Sequence, residues 1–200
     1  MNASEILRNE HRVIERVLAV LQRIAERVES GNPLDVDSAR QAIAFFRGFA
    51  DRCHHAKEEE HFFPAMEAKG FPRHGGPTGV MLYEHQRGRE CIAGMDEALA
   101  AVAGGDAAAA SRFVLHAHAY LDLLREHIMK EDTCLFAMAD QAFTADDQKR
   151  LVEAFAQAEA EKNEPGAHEA FLRSAEELAA RYGLAAPAAP HVAHTGCCGH

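Results

Sequence analysis

The chain has 200 residues and a formal net charge of −10 at pH 7. This acidic balance, without a basic stripe, excludes nucleic acid as an expected partner. Trp is absent, Ala and Leu are abundant, and strand-like alternation is missing, so the composition predicts an all-α protein. No apolar run could span a bilayer, the N-terminal segment lacks a signal-peptide core, and the scattered cysteines form no disulfide framework. We therefore expect a cytoplasmic protein without membrane contact.

Six helices are predicted in chain order. They span about residues 4–29, 36–69, 80–102, 106–141, 145–162 and 167–182. Ser4, Asp106 and Thr144 are the expected caps of helices one, four and five. Four long helices with short connections predict an antiparallel up-down-up-down four-helix bundle over residues 1–142. Two additional C-terminal helices over residues 143–184 are expected to pack on the bundle, followed by a flexible His/Cys-rich tail over residues 185–200.

A segment in helix two and a segment in helix four share the pattern His-x-x-x-Glu followed by an apolar pair. The pairs are His54 with Glu58, and His127 with Glu131. Residues four apart lie above one another on one helix face, so each segment presents an imidazole and a carboxylate to the same point. Two nitrogens and two oxygens suit a pair of iron or manganese ions better than a structural zinc site.

Helices one and three each add a single histidine to an apolar face, His11 and His85. In an antiparallel bundle all six side chains can meet at one level of the core, although the sequence does not fix their relative heights. Burying them without partners would cost several kcal/mol for each charged group, and bound metal would offset that cost. One such histidine is usually a hydrogen-bonded core residue, but four on four helices favour a metal centre.

Several neighbouring side chains are alternatives. His55 and Glu59 are also four apart, but their helix face carries more polar residues, so we expect them to support the ligands or to be solvated, and either could ligate during rearrangement. Asp132 lies about 140° around the helix from His127, whereas Glu131 lies about 40° around. Asp132 therefore stays a rival bridging ligand. His61 is expected to face inward, where it could donate to a ligand carboxylate or line an entry path.

These motifs resemble the hemerythrin or HHE cation-binding family over about residues 3–141. The residues that carry the resemblance are HHAKEEEHFFP, EHIMKEDTCLF, EHRV near the N-terminus and MLYEHQRGR between them. The resemblance implies a four-helix bundle around a non-haem di-iron centre, two Fe ions bridged by two carboxylates and an oxo or hydroxo group. The ligands it implies are His11, His54, Glu58, His85, His127 and Glu131.

The sequence departs from the oxygen-carrying members at two places. Met81 and Arg89 stand four residues from His85, where those members have a second histidine, and helix four has His-x-x-x-Glu rather than His-x-x-x-x-Asp. The pattern is closer to family members with paired HxxxE motifs. Tyr83 or Tyr120 could hydrogen-bond a small ligand at the centre, although core packing is the simpler role for both.

The predicted function is binding or sensing of O2, peroxide or NO at the di-iron centre by a monomer or homodimer. A peroxidase-like, catalase-like or NO-related activity is a candidate reaction. The alternative is iron storage, delivery to an acceptor protein, or iron–sulfur cluster repair, which the His/Cys tail would favour. That tail holds His191, His194, Cys197, Cys198 and His200, all ligands for soft metals.

Overall fold

The computed structural model describes residues 1–162 and 164–184, and these residues are almost entirely helical. The six expected helices are present. They are α1 Ala3–Glu29; α2, residues 36–68; α3 Pro77–Ala103; α4, residues 109–142; α5 Ala145–Lys162; and α6 Ala167–Arg181. The predicted tail, residues 185–200, lies outside the described residues. Among the described residues, no helix is long and apolar enough to cross a membrane.

Helices α2 and α4 contain π-helical turns. In α2 the α-helical Val36–Phe45 is followed by π-helical Phe46–His55 and Glu58–Phe62, and the helix ends with Phe63–Ala68. In α4 the π-helical segment is Glu131–Leu135. A π turn is wider than an α turn, because its hydrogen bonds join residues five apart, and such turns are frequent at functional sites. Each of these three segments carries a residue of the predicted metal centre.

The helix ends differ from the prediction in three places. Asn2, not Ser4, caps α1: its side chain accepts from the Glu5 N–H in a capping box, whereas Ser4 is buried inside the first turn. Helix α3 begins at Pro77, where proline suits the first turn of a helix. Asp106 accepts a hydrogen bond from the Ala108 N–H, but the helix itself starts later. Thr144 does cap α5, accepting from the Asp147 N–H.

The first four helices contact one another around a common core. Helix α3 packs along α4, α1 packs against α4 and α2, and α2 packs against α3. The core consists of two apolar clusters. One contains Leu18, Phe46, Ile92 and Leu124, and the other is built around aromatic residues of α2 and α4. Burial of this apolar surface is the main driving force for the fold.

The two C-terminal helices cover part of α2. Helix α6 packs against α1 and α2, and α5 contacts both π-helical segments of α2. The ring of Phe171 lies where a side chain at Gly48 would be, since a Cβ there would meet the Phe171 Cζ at 2.2 Å. Only glycine at this position lets α6 approach so closely. One face of α2 that the sequence predicts to be solvated is therefore enclosed.

Candidate metal centre

The six side chains predicted from the sequence converge in the interior, between the two apolar clusters. None is more than 1% exposed: they are His11, His54, Glu58, His85, His127 and Glu131. Along its own helix, each histidine lies between a residue of one apolar cluster and a residue of the other. His11, for example, lies between Leu7 and Ile14. The structure thus brings the four imidazoles to one level, which the sequence left open.

A seventh side chain, His55, joins them. It is 4% exposed, and its ring stacks on that of His85 with centroids 3.8 Å apart. The expectation that His55 lies on a polar, solvated face is wrong for a physical reason. It assumed the regular 100° step of an α-helix, but His54 and His55 are the last two residues of one π-helical segment, and a second begins at Glu58. The wider turn lets two consecutive histidines face the interior.

The seven residues form two clusters of metal-ligand atoms that share Glu58. In each cluster, one nitrogen or oxygen atom from every residue lies within 4.8 Å of the others. The first cluster is His11, His54, Glu58 and Glu131, and the second is His55, Glu58, His85 and His127. Glu131 also lies between them, with an oxygen 3.2 Å from the Nε2 atoms of both His11 and His127. The geometry therefore offers one position with two imidazoles and one with three, joined by two carboxylates.

Four of the five imidazoles are oriented by a carboxylate on a neighbouring helix. The Nδ1 atoms pair with Asp132 for His11 (2.7 Å), Glu10 for His54 (2.9 Å), Glu59 for His85 (2.8 Å) and Glu84 for His127 (2.9 Å). These contacts form a closed ring. A carboxylate of α1 orients the histidine of α2, one of α2 orients the histidine of α3, one of α3 orients the histidine of α4, and one of α4 orients the histidine of α1. Carboxylates in this position fix the ring orientation and tautomer of a metal-binding histidine.

Each orienting carboxylate is in turn paired with a cation. Lys57 donates to Glu10 and Lys130 donates to Glu84. Arg89 lies 2.6 Å from Glu59, and Arg12 pairs with Asp132. Burial raises the pKa of Glu10, but its bonds with His54 and Lys57 prevail and lower that pKa to about 2. The carboxylate is therefore ionised and accepts the His54 Nδ1–H.

This arrangement directs the Nε2 lone pairs at one another. A neutral imidazole that donates from Nδ1 carries its lone pair on Nε2. The Nε2 atoms of His11 and His54 are 3.0 Å apart, and those of His85 and His127 are 3.1 Å apart. Two ligand atoms at right angles around one ion, each about 2.1 Å from it, are separated by about 3 Å. Both spacings fit two ligands of one metal ion.

The carboxylates and His55 also fit a bound cation. Among the residues that the structure describes, neither oxygen of Glu58, neither oxygen of Glu131 and neither ring nitrogen of His55 has a hydrogen-bond partner of normal geometry. An unpaired buried polar group costs about 1–3 kcal/mol, and more when it is charged. A cation between the two clusters would remove that cost for all three residues at once. The donor set of nitrogen and oxygen atoms, without sulfur, suits iron or manganese.

The pKa values of the metal-free centre are shifted strongly by burial and by mutual contacts. Burial and the charge of Glu131 raise the pKa of Glu58 well above its usual value. Burial lowers the pKa of His54 to about 3. For His127, burial opposes protonation, but Glu131 and Glu84 prevail and raise the pKa to about 9. In the metal-free centre His127 is thus protonated at neutral pH, and a metal ion would displace that proton and free the Nε2 lone pair.

The remaining alternatives have definite places. Glu59 and Asp132 point their oxygens at Nδ1 atoms, so they orient imidazoles. His61, expected to face inward, is half-buried beside Phe155 of α5, with ring centroids 6.4 Å apart. Tyr83 is 65% exposed, whereas the six predicted ligands are buried. Tyr120 is buried against Phe46, as core packing predicts, and its hydroxyl has no hydrogen-bond partner among the described residues.

Comparisons with known proteins identify the family to which this chain is similar. Residues 2–139 match the family model described as hemerythrin HHE cation binding domain. Uncharacterized proteins of Mycobacterium tuberculosis and Mycobacterium bovis are 26% identical over 155 residues, which is 78% of this chain and 60% of theirs. The chain thus spans about 60% of the length of these curated relatives. No solved structure matches significantly.

Proposed function

The chain belongs to the hemerythrin family of HHE cation-binding domains, and from this premise we propose that it holds two iron ions in a non-haem centre. Glu58 and Glu131 would bridge the ions. The physiological role would be to bind or sense O2, peroxide or NO. The observation that carries the proposal is the group of unpaired carboxylate oxygens and converging Nε2 atoms buried between two apolar clusters.

His11 and His54 would hold one ion, and His55, His85 and His127 the other. Five neutral imidazoles and two carboxylates would leave a ferrous pair with a net charge of about +2, which would supply electrons to a small oxidant. The position with two imidazoles has one protein ligand fewer, so a diatomic molecule or peroxide would find space there. The apolar clusters on either side exclude bulk water and restrain side reactions.

The orienting carboxylates have a separate task. Glu10, Glu59, Glu84 and Asp132 keep a proton on each Nδ1 atom and so direct each Nε2 lone pair inward. They also increase the electron donation of the imidazoles, which favours the higher oxidation state of a bound iron. Because every one of them is paired with a Lys or Arg, the negative charge they add to the interior is balanced locally.

The antiparallel bundle is part of the same proposal. In α1 and α3 the aromatic-rich cluster precedes the histidine, as Leu7 precedes His11 and Met81 precedes His85. In α2 and α4 this cluster follows the histidine, as Phe62 follows His54. This alternation supports an up-down-up-down order over residues 1–142, with α5 and α6 as accessory helices. We place the protein in the cytoplasm, with an iron acceptor or a redox protein as its candidate partner.

Metal analysis after expression in iron-supplemented medium tests the proposal. Two irons per chain are expected, together with the near-ultraviolet absorption of oxo-bridged ferric pairs. Stopped-flow mixing of the diferrous protein with O2 or NO then separates the roles. A stable adduct supports binding or sensing, whereas prompt oxidation with release of iron supports storage or delivery. A protein that stays metal-free in this preparation would overturn both.

A further inference from the structure

Lys57 is an unusual lysine, because its charged side chain is only 2% exposed. It lies directly before Glu58 in the sequence. A buried ammonium group needs partners, since leaving it unpaired costs several kcal/mol. Its partners are Glu10 of α1 and Glu159 of α5, whose oxygen lies 3.1 Å from the Lys57 Nζ. The lysine therefore connects a C-terminal helix with the metal centre.

The connection continues to a candidate ligand. Glu159 contacts Lys57, Lys57 donates to Glu10, and Glu10 accepts from the Nδ1–H of His54. One oxygen of Glu10 accepts from His54 while its other oxygen accepts from Lys57. Lys57 in turn has a defined position because two carboxylates from two different helices hold its ammonium group.

The related half of the chain lacks this third link. There Lys130 donates to Glu84, which accepts from the Nδ1–H of His127. The Lys130 side chain, however, is 32% exposed, and its second acidic neighbour, Glu126, lies 4.0 Å away with a side chain that is 69% exposed. Water can solvate the Lys130 ammonium group, so we expect its position not to depend on Glu126. Lys57 has no such access to water, which gives Glu159 a role that Glu126 does not have.

We propose that Glu159 is a positioning residue for the two-imidazole position, acting on His54 through Lys57 and Glu10. This inference rests on the proposed function, because it assumes that His54 holds a metal ion. Loss of the Glu159 charge would let Lys57 draw Glu10 away from His54 or turn toward solvent. In either case His54 would lose its fixed orientation, while the three-imidazole position would keep its own supports.

The chain offers two matched controls. Glu126→Gln removes the carboxylate beside Lys130, the counterpart of Lys57. Lys162→Gln removes a different contact between α5 and α2, the ion pair of Lys162 with Glu60. A general loosening of α5 would appear in Lys162→Gln as well as in Glu159→Gln. An effect through Lys57 would appear in Glu159→Gln alone.

The experiment measures release of ferrous iron from the full-length protein to a chromogenic chelator, without oxygen, in the wild type and the three variants. One of the two irons is expected to leave Glu159→Gln about tenfold faster than it leaves the wild type, at the lower end of the range for partners of metal ligands. Both controls should match the wild type. Paramagnetically shifted NMR signals of the imidazole N–H protons provide a second readout, in which one signal should move and the others stay.

The outcomes distinguish the two proposals. A wild-type protein that takes up no iron contradicts the proposed function itself. A wild type with two irons and a Glu159→Gln variant with unchanged release and unchanged N–H signals overturns the role of Glu159 alone. Equal acceleration in Lys162→Gln and Glu159→Gln also overturns it, since that result assigns the effect to the docking of α5.

Discussion

Replacing His55 by isoleucine should change stability in opposite directions in the metal-free and the metal-loaded protein. When the two related segments are aligned at Lys57-Glu58 and Lys130-Glu131, Ile128 is the counterpart of His55. Ile128 is itself buried at 3% exposure. Isoleucine therefore has a size and polarity that the same position in the other segment accommodates.

The magnitude follows from the contacts of His55. Its Nε2 has no hydrogen-bond partner in the described part of the chain, and the Asp51 oxygen lies 3.5 Å from its Nδ1. An unpaired buried polar group costs about 1–3 kcal/mol. Isoleucine removes this cost but also loses the stacking of His55 on His85. The net result is that we expect the free energy of unfolding of the metal-free variant to rise by about 1 kcal/mol, which is about 2–4 °C in Tm for a chain of this size. The loaded variant loses a ligand, and a 100-fold weaker affinity corresponds to about 2.8 kcal/mol.

Thermal or urea unfolding of chelator-treated and iron-loaded samples measures both changes. His61→Ile is the matched control, since it makes the same substitution in α2 at a half-buried position beside Phe155. It should leave the stabilisation by iron unchanged. If His55→Ile destabilises both forms by the same amount, His55 contributes packing alone, and the reasoning from its unpaired nitrogens is refuted.

Three further predictions concern other parts of the molecule. First, the metal-free protein should lose stability as pH rises from 6.5 to 9, because the pKa of His127, raised to about 9, means that the folded state holds this proton more tightly than the unfolded state does; thermal melts across this range measure it. Second, Gly48→Ala should destabilise the protein by about 1–3 kcal/mol, because the new Cβ meets the Phe171 ring; urea unfolding measures it. Third, Glu84→Gln should weaken iron binding by about 10- to 100-fold in a chelator competition, because His127 loses its orienting carboxylate.

Each of these has a control. Bound iron should abolish the loss of stability between pH 6.5 and 9, and a metal-free protein equally stable at both ends would contradict the assigned pKa shifts. Gly104→Ala adds the same methyl group where the nearest atoms are 3.4 Å away and should cost much less than Gly48→Ala. For Glu84→Gln, Glu126→Gln is the neighbouring acidic change, and equal weakening by both would indicate a general effect of charge.

The sequence singles out six side chains that the fold brings together in the interior, because their signals are local. His-x-x-x-Glu places two ligand types on one helix face, and His11 and His85 stand out among apolar neighbours. It missed the inward position of His55, since a regular helix would turn that side chain away. The alignment that pairs His55 with the apolar Ile128 was a signal that could have revealed it.

Other errors came from contacts between distant segments. Glu10 and Glu84 each precede a histidine in the sequence, yet each orients a histidine on the next helix, which no local pattern indicates. The position of His61 beside Phe155 was not predicted, because the sequence does not show which face of α2 packs against α5. The start of α1 at Asn2 rather than Ser4 was missed although Glu5 stands three residues after Asn2, the spacing of a capping box.

The closed ring of orienting carboxylates has a consequence for how the protein matures. Every one of these four imidazoles takes its orientation from a neighbouring helix, and the last contact, from Asp132 to His11, joins the fourth helix to the first. A ribosome-bound chain that has exposed only three helices lacks the support for His11 and the whole of His127 and Glu131. Such a nascent chain would compete poorly for iron, so capture of the metal would coincide with completion of the fold.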